Sequence, residues 1–410
     1  MKSVEQHVAD VLALIPDPVP TELDLLQAHG AVLAEAVTSP VSLPGFDNSS
    51  MDGYAVRAAD LEWASPDNPV RLPVVADIPA GDPSPTAVLP GRSARIMTGA
   101  PMPSGADAVV PVEWTDGGTA SVAFDRPVKE GNAVRRAGDD VTAGATVLRP
   151  GVRVGPGEMG VLAAVGRRSV PVYARPRVMV LSTGEELVEP GRPLGPGQIW
   201  ESNSFMIAAA ARDAGCEVHR HGFVGDHPQT VRDTLDDLLV RADVVVTTGG
   251  VSMGAHDVVK EVLTREGTVE FVQVAMQPGK PQGFGVIGPD RTPIITLPGN
   301  PVSAFVSFQV FVRPALRRLR GLDPRPLPSM RALLTSPVTS PPGRRSFLRA
   351  VLEESPYGRD AEPTVSPASH QGSHQLSALA GANALVVVPE EVTELAAGSR
   401  VEVVRLPEPA

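Results

Sequence analysis

Three continuous apolar runs in the middle of the chain end in loops rich in glycine and hydroxyl residues. Val178-Met179-Val180-Leu181 turns into Ser182-Thr183-Gly184-Glu185-Glu186-Leu187. Val244-Val245-Val246 turns into Thr247-Thr248-Gly249-Gly250-Val251-Ser252-Met253-Gly254, and Ile294-Ile295-Thr296-Leu297 into Pro298-Gly299-Asn300-Pro301-Val302-Ser303. Unbroken runs, as opposed to alternating ones, predict strands buried on both faces of a parallel sheet. Residues 204–214 carry helical spacing stopped by Gly215, and 228–242 carry it again, with Pro228 suited to a first helical turn. The alternation predicts an open α/β sheet over 177–320. Ligands of such sheets bind beyond the carboxyl ends of the strands, where the three loops gather.

Outside this region the patterning changes. Val4, Val8, Val11, Leu12 and Ile15 predict an N-terminal helix ended by Pro16. Thr21 and Asp24 read as a capping box for a second helix stopped by Gly30. The loop 44–56, Pro-Gly-Phe-Asp-Asn-Ser-Ser-Met-Asp-Gly-Tyr-Ala-Val, packs turn formers and carboxylates and reads from composition as an Asx-turn loop. Short strand-like runs at 70–76, 94–97 and 108–112 predict a small β domain, and an Arg135-Arg136 pair faces Asp139-Asp140 beyond them. A helix follows Pro156. After a proline-rich linker at 322–328, strand candidates at 331–334, 346–352, 384–388 and 400–406 predict a small β-sandwich or barrel.

Composition narrows the class. At 410 residues the chain suggests two to four domains at ~150 residues each. A net charge of −11 argues against a general nucleic-acid binder. Cys216 is the only cysteine, which excludes an intramolecular disulfide or multi-cysteine zinc site. No apolar run reaches the ~18 residues of a membrane span, and Asp10 interrupts what would be a signal-peptide core, so a cytoplasmic location is expected. Nucleotide fingerprints of the Gly-x-x-x-x-Gly-Lys or Gly-x-Gly-x-x-Gly type are absent. An anion could still be held by the N–H groups and hydroxyls of 248–254, or at the helix start near Ser303. Lysine is scarce, and Lys280, in Gln277-Pro278-Gly279-Lys280-Pro281, is the sharpest cation.

These motifs, in this order, resemble the molybdopterin molybdenumtransferase (MoeA) family, to which the C-terminal part of gephyrin is related. The resemblance rests on 44–56, 95–101, 135–140, 182–187, 247–254, 278–281, 297–303 and His370-Gln371-Gly372-Ser373-His374, and spans nearly the whole chain. It implies a multidomain α/β plus β fold. An elongated, discontinuous N-terminal domain (1–45 and 145–175) would carry an inserted β domain (46–144). An α/β molybdopterin-binding domain (176–322) and a C-terminal β domain (328–410) would follow. It further implies a homodimer with each site shared between subunits, and insertion of molybdate into adenylylated molybdopterin with release of AMP and a requirement for Mg2+. Protein partners would be the adenylyltransferase and apo-molybdoenzymes. A molybdopterin adenylyltransferase, a non-catalytic molybdopterin-binding scaffold and a tungstate-specific paralogue stay open as alternatives.

The resemblance also implies roles. Asp52, Thr98, Asp140 and Glu186 would be catalytic, with Asp140 acting through Arg135 or Arg136. Asp226, Asp257 and Glu186 would hold magnesium, since that ion takes oxygen ligands. Thr248, Gly249, Gly250 and Ser252 would cradle nucleotide phosphates. Pro298, Gly299, Asn300, Pro301 and Ser303 would shape the pterin and phosphate pocket, with Lys280 and Ser373 beside it. Gln273 and Gln277 stand where the family often has lysine, and Arg349 would supply the missing charge.

Overall fold

A computed structural model describes residues 1–83, 85–224, 227–251, 258–265, 268–353 and 362–407. The chain divides into two compact units: 1–22, 30–34 and 171–410 in one, and 23–29 and 35–170 in the other.

The first unit holds the α/β sheet. Its strands lie in the order Glu217–Val224, Arg177–Thr183, Val244–Thr248, Thr292–Leu297, Pro281–Ile287, Val269–Gln273. The first four are mutually parallel and the last two antiparallel. Register sets Ser182 beside Thr248 and Thr248 beside Leu297, so the loops predicted to gather do leave the sheet at one level. The continuous runs are buried on both faces. Val178, Val180, Val244, Val246 and Ile295 pack against Ile207, Ala211 and Phe308 on one side. Met179, Leu181, Val245 and Ile294 pack against Val231, Leu235 and Leu263 on the other.

The helices expected from Ser204 and Pro228 span Asn203–Asp213 and Pro228–Leu239. The helix opened by Pro301 runs Pro301–Ser307, widens into a π-helical segment Phe308–Val312 and resumes as Arg313–Leu319. Pro314 explains the wide turn, because its ring would clash with the carbonyl four residues back in a regular helix. Downstream, Ser329–Leu334, Thr364–Pro367, Arg345–Glu353, Ala384–Val388 and Arg400–Arg405 pair around a closed ring, the last strand returning to the first. Closure leaves a small barrel filled by Ala332, Leu348, Val365, Val386 and Val403.

The second unit centres on a five-stranded sheet in the order Ala108–Pro111, Gly53–Val56, Ser93–Ile96, Val70–Ile78, Ser121–Phe124. Tyr54, Leu61 and Phe124 fill one face, and Ala55, Ile78 and Ile96 the other. The second helix expected before Gly30 is absent: Thr21–Asp24 is a strand followed by turns, and Leu25 N–H donates to Arg168 O. The local capping signal loses to a partner far along the chain.

Val4–Leu14 forms the predicted first helix, capped by Ser3. Its His7 is 0% exposed, and neither ring nitrogen has a hydrogen bond. The imidazole meets Phe284 and Phe311 edge-on at 5.0 and 4.5 Å. Burial, aided by the nearby Lys2 charge, lowers its pKa to about 4. The unfolded chain therefore takes up this proton near pH 6.5 and the folded one only near 4. Stability is full above pH 6.5 and falls by about 3 kcal/mol as pH drops through that window. His7→Leu is expected to remove this acid dependence. Amide-exchange protection of the helix at pH 5 and pH 7.5 checks it; an equal acid loss of protection in both proteins contradicts it.

Candidate functional site

A cavity of about 730 Å³ opens beyond the carboxyl ends of the parallel strands, lined by Ser182, Thr183, Gly184, Glu186, Thr248, Gly249, Gly250, Pro298, Gly299, Asn300, Pro301 and His374. The three glycine-rich loops meet here as expected. The cavity also contains residues that the sequence did not single out: Ile199, Trp200, Glu201, Ser202 and Asn203, which lead into the Asn203–Asp213 helix. Trp200 is 53% exposed at the mouth, held by its indole N–H to Arg192 O. One of only three tryptophans, placed just before a helix, was the available signal.

Glu201 organises the floor. It is 1% exposed and accepts from Ser182 Oγ at 2.7 Å, Ser204 N at 2.6 Å and Ser204 Oγ at 2.6 Å, with Arg220 3.7 Å away. Arg220 also bonds Glu189 and lies over the Phe205 ring. Ser182 and Thr248 hydroxyls are 2.8 Å apart. A carboxylate only accepts, and a hydroxyl has one proton. Ser182 therefore donates to Glu201, and Thr248 donates to Ser182. Thr248 is left with lone pairs, not a proton, for a ligand.

Thr248 belongs to the expected phosphate cradle, as does Gly249. Gly249 N–H is also committed, to Leu297 O. Gly249 itself is required: its φ is +89°, and a Cβ would stand 2.7 Å from Thr183 O. Ser252 lies outside the described residues. The wall of 298–301 is braced from two sides, by Asn203 Nδ2 donating to Gly299 O at 2.6 Å and Asn300 Nδ2 donating to Ser373 Oγ at 3.1 Å. We expect Ser182→Ala to destabilise this unit by about 1–3 kcal/mol, because the buried Glu201 loses a donor. Thr248→Val should cost less, since Ser182 keeps its bond to Glu201. Urea unfolding orders the two variants, and the reverse order would contradict the donor direction.

A second, smaller cavity of about 270 Å³ lies alongside, sharing Pro281 with the first. Its lining includes Lys280, Arg344, Ser303, Gln277 and Ser373. Neither Lys280 nor Arg344 forms an ion pair among the described residues. Arg349, expected to supply charge here, is instead 1% exposed. Its guanidinium donates to the carbonyls of Gln375 (2.6 Å), His370 (2.8 Å) and Gly372 (3.1 Å). Arg349 holds the 370–375 loop from beneath, and Arg344 is the arginine that faces the cavity.

Of the three carboxylates named for magnesium, Asp226 and Asp257 lie outside the described residues. Glu186 lines the main cavity, folded over Gly184, with its carboxylate 2.5 Å from where a Cβ on that glycine would sit. No group of three potential metal ligands forms among the described residues. Glu186 is the one carboxylate of the three among the described residues.

In the other unit, Asp52 and Thr98 form a pair. Asp52 Oδ1 accepts from Thr98 N at 2.7 Å and Thr98 Oγ1 at 2.8 Å. Those bonds, the backbone one foremost, hold the Asp52 carboxyl below the usual range. Asp140 does not engage Arg136, as the facing pairs had suggested. Arg136 Nη1 donates to Asp47 at 2.7 Å, and Asp139 accepts the Arg136 N–H. Asp140 N–H donates to Leu43 O.

Comparisons with known proteins agree with this architecture. Residues 2–166 match the family described as MoeA N-terminal region (domain I and II), 179–318 a probable molybdopterin binding domain, and 331–406 the MoeA C-terminal region (domain IV). The molybdopterin molybdenumtransferase 2 of Mycobacterium tuberculosis is 50% identical over 98% of this chain and 99% of its own length. Molybdopterin molybdenumtransferase 1 of the same organism is 40% identical over 98% of each. The crystal structure of a molybdopterin biosynthesis MoeA protein from Pyrococcus horikoshii superposes with a TM-score of 0.81 at 32% identity, covering 99% of both chains. No described helix is long and apolar enough to cross a membrane. With all three family regions in order and relatives aligned end to end, the chain belongs to the MoeA family.

Proposed function

We propose that this chain is a molybdopterin molybdenumtransferase: it takes adenylylated molybdopterin and molybdate, releases AMP and yields molybdenum cofactor. The observation that carries the reading is the pair of adjoining cavities with opposite character. The larger presents acceptors, Thr248 Oγ1 and the Glu186 carboxylate, which suit the ring N–H and amino donors of a pterin. The smaller presents Lys280 and Arg344, which suit an oxyanion such as molybdate. The exposed Trp200 offers a flat face for the fused rings. Ser303 and Ser373 supply hydroxyls at the oxyanion end, while Pro298, Gly299, Asn300 and Pro301 wall the larger cavity.

Glu186 is the carboxylate we assign to the reacting end of the main cavity, where it orients or deprotonates the attacking oxygen. Asp52, kept ionised and oriented by Thr98, serves the same reaction from the other unit, supplied by a partner subunit in a homodimer. Asp140 stays with this set as a residue of the same unit. Asp226, Asp257 and Ser252 are expected at the metal and phosphate end.

The test is turnover. Protein supplied with adenylylated molybdopterin, magnesium and limiting molybdate or tungstate should release AMP in step with metal incorporation. Binding without either product would favour a scaffold, and pyrophosphate release from ATP with molybdopterin an adenylyltransferase. Mixing inactive Asp52→Asn with inactive Glu186→Gln protein should restore up to about a quarter of wild-type activity if each site draws on two subunits. No recovery after subunit exchange contradicts the shared site.

A further inference from the structure

Among the described residues of the first unit, three arginines are more than nine-tenths buried, and two of them have their terminal nitrogens bonded to oxygen. Arg349 donates to three carbonyls. Arg320 donates to Ala214 O and Gly30 O. Arg313 is 8% exposed, yet its one hydrogen bond is from Nε to Gln309 Oε1 at 2.7 Å. Its two terminal nitrogens make no hydrogen bond and meet no carboxylate within ion-pair distance among the described residues; the guanidinium lies 5.9 Å from the Phe308 ring centroid. A buried guanidinium without a counter-anion is costly.

The guanidinium opens onto a cavity. A space of about 480 Å³ is bounded by Arg313 and Gln309 on the Pro301–Leu319 helical run, Met206 and Ala209 on the Asn203–Asp213 helix, and Phe305 and Leu379. The π-helical segment puts Gln309 and Arg313 into this wall together. The cavity is separate from the two that carry the proposed reaction and shares no lining residue with them. Asp213, the nearest negative group, sits exposed on the lining.

We propose that this cavity binds a small apolar monocarboxylate, with its carboxylate on the terminal nitrogens of Arg313 and its hydrocarbon body against Met206, Phe305 and Leu379. A planar carboxylate matches the two parallel donors of a guanidinium fork. A phosphate dianion would need more donors than the fork and the Gln309 amide provide, and Asp213 would repel its second charge. The walls are apolar, which favours a hydrocarbon body over a sugar or nucleotide.

The test uses decanoate, octanoate and 4-phenylbutyrate as probes, titrated calorimetrically into the full-length protein, with decanol and decylamine as controls. Saturable binding of at least one carboxylate at one site per chain is expected, with decanol and decylamine at least ten-fold weaker. Arg313→Met should weaken carboxylate binding ten-fold or more. Ala209→Trp, at an exposed helix position that fills the cavity, should abolish it while leaving Arg313 in place. The proposal is overturned if no carboxylate saturates the wild type, if decanol binds as tightly, or if folded Arg313→Met or Ala209→Trp protein binds as the wild type does. Since molybdate turnover is measured separately, loss of carboxylate binding leaves the transferase reading untouched, and the reverse holds too.

Discussion

Replacing Lys280 by methionine is expected to raise the molybdate concentration needed for half-maximal turnover by about ten- to a hundred-fold. The smaller cavity holds two cations, Lys280 and Arg344, with no ion-pair partner among the described residues. A dianion beside each would gain about 4 kcal/mol per unit charge pair at ~4 Å and an effective dielectric of ~20. Both side chains are partly exposed, and solvent screening reduces that gain severalfold. The same logic predicts that Arg344→Met acts in the same direction, and that Gln277→Lys, which adds a third cation to the lining, lowers the molybdate requirement. Affinity for adenylylated molybdopterin without molybdate should move little in all three. Steady-state kinetics over a molybdate series reads the effect. An unchanged molybdate dependence in Lys280→Met would remove the smaller cavity from the reaction.

Arg349→Met is expected to destabilise the first unit by about 3–5 kcal/mol and to depress turnover well beyond the loss of folded protein. The buried guanidinium reaches three part-buried carbonyls, so its removal leaves all three without this donor. The neutral thioether fills the space but answers none of them. Lysine should rescue poorly, because one ammonium on a flexible stem cannot reproduce the planar fork. The functional loss follows from the loop above it. Ser373, on the lining of the smaller cavity, bonds Asn300 of the larger one through its side chain and Val302 through its carbonyl, so the 370–375 loop braces the 298–301 wall. Chemical unfolding and kinetics at a temperature where the variant is folded separate the two effects. Wild-type stability in Arg349→Met would contradict the burial argument.

Much of this was legible from local pattern. The buried strands of the α/β sheet announce themselves as unbroken β-branched runs, because a strand covered on both faces has no polar side to show. Helix starts at Pro156, Pro228 and Pro301 and the four C-terminal strands follow from punctuation by proline and glycine. What local pattern misjudged was decided by distant partners. Thr21–Asp24 carries a helix-start signal, but its neighbourhood is claimed by Arg168. Arg136 pairs with Asp47, far behind it in sequence, in preference to the aspartates beside it. Arg349 looks like a surface charge until the loop that it supports folds over it. Glu201 carries no local motif, and the meeting of Ser182 and Ser204 around it makes it the keystone of the cavity floor.

The first helix also has a history in time. Val4–Leu14 leaves the ribosome well before the elements it packs on, Pro281–Ile287, Phe308–Val312 and Arg313–Leu319. At ~5–20 residues per second, synthesis of the intervening chain takes on the order of ten seconds to a minute. The second unit emerges whole within that interval and can fold while the helix waits. Until then Val4, Val8, Val11 and the imidazole of His7 have no partners. The helix is thus made early and secured late, and a chain stalled before residue 281 carries Val4–Leu14 as an unprotected apolar stripe.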